Sequence, residues 1–183
     1  MEAVMDTIYR GLAGVNVDTS RICSIDGERG ELIYSGYDIR ELADQASYEE
    51  VAYLLWHGDL PTGTELEAFK DRIRPSFHVP AEVLELLAAL PRGTNPMAAL
   101  RTAVSALGAL DEHADDTSDA NVRRIGTALL AQVPSIVAAF QRLQSGEEPI
   151  APDPNLSVAG NFLRMLNGVE PSPAATRVMD VAL

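Results

Sequence analysis

Residues 24–43, Ser24 to Ala43, read "SIDGERGELIYSGYDIRELA", and the chain changes character along them. Gly14 to Ile25 is rich in β-branched residues, which suit an extended, pleated backbone. Asp26-Gly27 separates that run from Glu31-Leu32-Ile33-Tyr34. An Asp-Gly pair between two short apolar runs predicts a β-hairpin over about residues 14–36. From about residue 38 to residue 183 the pattern is helix after helix. The fold class is therefore mainly α, a multi-helical assembly with a short N-terminal β-hairpin.

The helices announce themselves by their caps. Ser47 followed by Glu50 makes a capping box ahead of Val51, Leu54 and Leu55, and Pro61 is expected to stop that helix. Thr64 is placed to cap Glu65 to Arg74, with Pro75 ending the run. Pro80 opens Ala81 to Leu87, which Pro91 ends. Asn95-Pro96 repeats the device before Met97 to Leu110. Ser118-Asp119 starts the longest run, which continues through Phe140 to Gly146 and holds Pro134, a residue expected to kink it. Asn161 to Leu166 closes on Asn167-Gly168, and Ser172-Pro173 opens a last helix.

Segments 96–110 and 120–143 are apolar over more than one face. A helix apolar nearly all round is central to a core or buried in an interface. In a chain of 183 residues with room for few such helices, the pattern predicts an interface. No internal repeat accompanies the recurring proline starts.

Hydrophobic residues make up 46%, charged residues 22% and aromatics 5%, a globular composition in which Ala and Leu carry the apolar load. The formal net charge is −13, which argues against nucleic acid and anionic membranes as partners, since both select a basic face. The single cysteine, Cys23, rules out an internal disulfide and is expected to be a small buried strand residue. No basic leader with an apolar core and no apolar run of membrane length occurs, so the expected location is cytoplasmic.

Side chains that could do chemistry are few. His57 sits at a helix end, where a histidine complements the exposed carbonyls. His78 lies between Pro75 and Pro80, and His113 lies in an acidic loop with Asp111, Glu112, Asp115 and Asp116. That loop matches no calcium pattern and reads as a solvated connector. Gly27, Gly30 and Gly36 punctuate the hairpin and open no phosphate loop. No catalytic triad or metal-ligand spacing is present. The expected list of catalytic, cofactor-binding and metal-binding residues is none.

The 24–43 stretch resembles the N-terminal signature of the citrate synthase family: an Ile-Asp-Gly turn, a Gly-x-Leu strand, a Tyr-x-Gly-Tyr, then Glu-Leu-Ala. The resemblance continues in order through Glu49 to Pro61, through Asn95-Pro96-Met97 with Leu100 to Gly108, and through Asn161-Phe162-Leu163 and Asp180. It implies a mainly helical enzyme with a large and a small domain, of which residues 1–183 are the N-terminal part of the large domain. It also implies a homodimer joined by helices 96–110 and 120–143. The implied reaction condenses acetyl-CoA with oxaloacetate, an Asp taking the methyl proton while two His stabilise the enol and polarise the ketone. No redox cofactor or obligatory metal is implied, and acetyl-CoA enters as substrate.

Two positions depart from the family pattern, Ser35 where Arg is common and Asn95 where His is common, and neither is a catalytic position of the family. The larger departure is that Asp180-Val181-Ala182-Leu183 matches the family's Asp-x-x-Leu, after which the family runs into its His-Ala-Asp-His-Glu motif. The last helix carries no Gly or basic last turn, so its end is expected to fray. The resemblance thus places the catalytic residues beyond Leu183 and leaves this chain inactive alone. Two alternatives stand beside it: 2-methylcitrate synthase chemistry on propionyl-CoA, and a non-catalytic helical dimerisation module.

Overall fold

A computed structural model describes residues 10–12, 14–16 and 18–183. Strand β1 (Cys23–Asp26) pairs antiparallel with β2 (Glu31–Tyr34), Asp26 opposite Glu31. The Asp-Gly signal closes this hairpin through its Asp. The Asp26 carboxylate accepts the N–H groups of Glu28 and Arg29, both at 3.0 Å, and so holds a four-residue loop. The strand starts at Cys23, nine residues later than the β-branched run suggests, and 14–16 and 18–22 carry no strand. A third strand, β3 (Tyr37–Asp38), follows after only two residues. Ser35 (φ 46°) and Gly36 (φ 95°) both take positive φ, the two-residue turn whose twist matches its strands. Ser35 thus holds a backbone conformation that side chains seldom adopt.

Cys23 is exposed, not buried. β1 is an edge strand packed on neither face, and Ile25 is 72% exposed. β-branched composition specifies an extended backbone and does not specify what covers it.

Asp38 ends β3 and caps α1 (Ile39–Gln45), accepting the N–H of Arg40 at 2.8 Å. The Arg40 side chain also donates to it, and this, with the backbone N–H, lowers the carboxyl from 3.8 to about 2. A carboxylate with a depressed folded value stabilises above its ordinary range and loses that contribution as pH falls through the folded value. Titration of the Asp38 carboxyl by NMR is therefore expected to place its midpoint near 2, with the α1 cap intact at pH 4. A midpoint at the ordinary value would refute the pairing.

α2 (Tyr48–His57) has the Ser47–Glu50 capping box read from sequence, but Gly58 (φ 91°) ends it ahead of Pro61. α3 (Gly63–Ile73) is capped by Thr62, not Thr64. Thr62 stands three residues before Glu65, the spacing at which the two side chains satisfy each other's backbone N–H groups. A 3-10 turn (Arg74–Phe77) leads into α4 (Ala81–Ala89), and α5 (Pro96–Leu110) starts on Asn95 as read. α6 (Asp119–Ser145) runs unbroken through Pro134 to Gly146. α7 (Val158–Asn167) begins on Ser157, earlier than the predicted Asn161, and ends on Gly168. α8 (Pro173–Ala182) is capped by Ser172, and its final turn is hydrogen-bonded, Leu183 N–H to Met179 carbonyl at 3.0 Å.

α6 is the axis of the fold. Its C-terminal half buries Ala131, Ser135, Ile136, Ala138, Ala139 and Phe140, packing against α3, α4, α5, α7 and the 3-10 turn. One apolar cluster joins Phe69, Ile73, Phe77, Ala131 and Val158, and another joins Val83, Leu87, Ala99, Ala103, Ile136 and Phe140. A third ties Leu42, Ala46 and Leu54 to the sheet through Tyr34 and Tyr37. At Gly126 a Cβ would meet the Trp56 ring at 3.2 Å, so this glycine permits the close approach of α2 and α6. The all-round apolar character of α6 is thus met in its second half by the core of this chain.

Candidate functional site

His57, His78, His113 and Cys23 lie on four separate elements, all exposed. Among the described residues no group of three or more His, Cys, Asp or Glu is placed to hold a metal ion. The acidic loop folds upon itself. The buried Asn121 amide donates to the carbonyls of His113 and Asp116, both at 2.7 Å, and Arg124 pairs with Asp111 at 2.6 Å. Asp111 and Asp116 thus serve to close the turn, Asp116 by accepting the N–H of Ser118 at 2.9 Å. His57 stacks on Tyr53 with ring centroids 4.1 Å apart. Desolvation, then Arg123 and Arg72, lower its pKa below the usual 6.5, so at pH 7 it lends little charge to the end of α2.

The groups that do converge are polar ties between distant helices. Glu49, on α2 and only 2% exposed, accepts the N–H of Val158, the first of α7, at 2.9 Å. Asn161, fully buried, accepts the N–H of Asp153 at 2.8 Å and donates to the carbonyls of Asp153 and Leu156, which shapes the loop before α7. Arg177 and Asp180 of α8 reach back to the junction of α1 and α2. Sequence reading missed the first and last of these links because they join residues more than 100 positions apart.

Two apolar clefts flank this frame. One, about 410 Å³, lies where α1 and α2 face the end of α8 and is lined by Leu42, Val51, Leu55, Trp56, Leu130 and Leu183. The other, about 490 Å³, runs between α5 and the N-terminal half of α6, lined by Val104, Leu107, Leu110, Ile125, Ala128 and Leu129. On the same two helices Met97 is 69% and Val122 56% exposed. The polar groups at the first cleft are engaged elsewhere, Ser47 with Glu50 and Asp180 with Arg177 and the Tyr48 N–H, and at the second Asp111 pairs with Arg124. Both are apolar surfaces of a size that ligands or partner segments fill. Among the described residues no helix is long and apolar enough to cross a membrane.

A family model described as "Citrate synthase, C-terminal domain" matches residues 11–183. The chain is 47% identical over 180 residues to a citrate synthase of Haloferax volcanii, covering 96% of this chain and 48% of that protein. It is 43% identical over 176 residues to a 2-methylcitrate synthase of Mycobacterium tuberculosis, covering 96% of this chain and 44% of that protein. The crystal structure of citrate synthase from Pyrobaculum aerophilum superposes with a TM-score of 0.88 at 38% identity, covering 96% of this chain and 46% of that one. The chain spans about half the length of the relatives it matches.

Proposed function

The chain belongs to the citrate synthase family, and from that premise we propose that residues 1–183 build the scaffold of an enzyme that condenses acetyl-CoA with oxaloacetate to citrate and CoA. In this reading the frame of α1 to α8 is the N-terminal part of the large domain. The side chains that move protons and polarise the ketone belong to sequence following α8, and the small domain lies there too. Acetyl-CoA is a substrate, and no cofactor or metal takes part. The observation that carries the reading is the fit of the whole helical frame, at a TM-score of 0.88 over 96% of the chain.

The experiment is a free-thiol assay on the polypeptide extended beyond Leu183 to the length of its relatives. Acetyl-CoA with oxaloacetate is expected to release CoA, and absence of release would sink the reading. Propionyl-CoA in place of acetyl-CoA tests the second reading, 2-methylcitrate synthesis, which the 43% identical 2-methylcitrate synthase favours. A non-catalytic dimerisation module predicts no release with either thioester.

The reading includes a homodimer through α5 and α6. Met97, Val122 and the cleft between the two helices leave apolar surface on α5 and α6, the kind of surface that self-association covers. Sedimentation of the wild-type chain is expected to give a dimer at micromolar concentration. Val122→Glu with Met97→Glu is expected to give a folded monomer, each change setting a charge on exposed apolar surface of these helices. A wild-type monomer would remove the interface assignment.

A further inference from the structure

α8 is held in an unusual way. None of its residues is buried, and Val178 is 71% exposed, so packing alone leaves its rotation loosely set. Two side chains one turn apart fix it on the opposite side. The Arg177 guanidinium donates to the carbonyls of Ala43 (2.6 Å), Asp44 (2.8 Å) and Ala46 (2.8 Å), and to Asp180 Oδ2 (3.0 Å). Asp180 Oδ1 in turn accepts the N–H of Tyr48 at 3.1 Å.

The placement is electrically ordered. The Ala43 and Asp44 carbonyls lie in the last turn of α1, where carbonyls have no intrahelical donor, and the Tyr48 N–H is the first of α2, with no intrahelical acceptor. The cation therefore sits on the negative end of one helix and the anion on the positive end of the next, each favoured by the local dipole. Four backbone groups that two helix ends expose are satisfied by one i,i+3 pair reaching in from 131 to 134 residues away. A planar fork with fixed donor directions constrains both the height of α8 along its axis and its rotation, which a point charge on a flexible stem would not.

We propose that Arg177 and Asp180 are positioning residues for the condensation: their clamp sets the direction in which the chain leaves α8, and with it the placement of the reacting side chains. This rests on the reading above, in which those side chains follow α8. The geometry makes the lever short. At 1.5 Å per residue Leu183 lies about 9 Å along the axis from Arg177, so a tilt of about 6° displaces the end by about 1 Å. Misplacement on that scale costs on the order of 10²-fold in rate.

The test uses the polypeptide extended to the length of its relatives. Arg177→Met is expected to lower kcat by about 10²-fold while KM for each substrate stays within about threefold, the signature of lost alignment rather than lost binding. Arg177→Lys, which keeps the charge but not the fork, is expected to fall between the two at about tenfold. Asp180→Asn, which keeps an acceptor for Tyr48, is expected to retain more kcat than Asp180→Ala. Should Arg177→Met fail to fold, as judged by circular dichroism, Arg177→Lys decides by the same criterion. Folded variants with wild-type kcat, even with lowered melting temperatures, overturn the proposal alone. A wild-type polypeptide without condensing activity overturns the reading beneath it, and the proposal with it.

Discussion

Phe69→Ala is expected to destabilise the chain by about 3–5 kcal/mol, the range for truncating a fully buried aromatic side chain where the surroundings collapse only in part. Phe69 is at the meeting point of α2, α3, α6 and α7, in a cluster with Ile73, Phe77, Ala131 and Val158. Tyr53 and Trp56 stand edge-on to it at 5.5 and 5.8 Å, arrangements that add to simple burial. The Arg72 guanidinium lies 5.7 Å from the same ring, so truncation exposes several partners at once. Against a total stability of about 5–15 kcal/mol, such a loss removes roughly a fifth or more. Thermal melting followed at 222 nm is expected to shift down by roughly 6–20 °C. A shift of a degree or two would mean that the cluster is not the common core described.

Glu49→Ala is expected to cost about 1–3 kcal/mol, the penalty for leaving a buried N–H without an acceptor. The carboxylate crosses from α2 to the first N–H of α7, and its Oε1 is the acceptor there. Its second oxygen is buried without a hydrogen-bond partner among the described residues. Burying the charge therefore works against the gain from the positive end of α7. Glu49→Gln keeps the acceptor and removes the charge, so it is expected to stay close to wild type. Urea unfolding of the three proteins distinguishes the cases. If Gln and Ala lose equally, the charge rather than the hydrogen bond is what holds α7.

The reach of sequence reading follows the range of the forces involved. Ser47–Glu50, Asn95–Pro96, Ser118 and Ser172 were legible because a cap is completed within three or four residues. The cap of α3 was misread at Thr64 because two threonines precede Glu65, and only the Thr62 spacing closes the reciprocal pair. Cys23 was misread as buried because extended propensity says nothing about the neighbour a strand face meets. His57 occupies the helix-end position that its sequence context gave it, but desolvation, and then Arg123 and Arg72 brought from α6 and α3, turn it towards the neutral form. The apolar periodicity of α6 showed that all sides are covered, but not by what. Its second half is covered by this chain, while Val122 near its start is left exposed for the proposed partner.

The site was legible only through the resemblance. Local rules gave no acid, base or metal set. The ties that shape the frame, Glu49 to α7 and Arg177–Asp180 to α1 and α2, form only when distant segments meet. No periodicity within one segment encodes that meeting.

In the proposed reading this chain is scaffold and the reacting groups lie in sequence following α8. The most direct measurement is release of free CoA from acetyl-CoA and oxaloacetate by purified residues 1–183, beside the polypeptide extended to the length of its relatives. Release above the enzyme-free rate is expected from the extended polypeptide alone. Turnover by residues 1–183 themselves would contradict it.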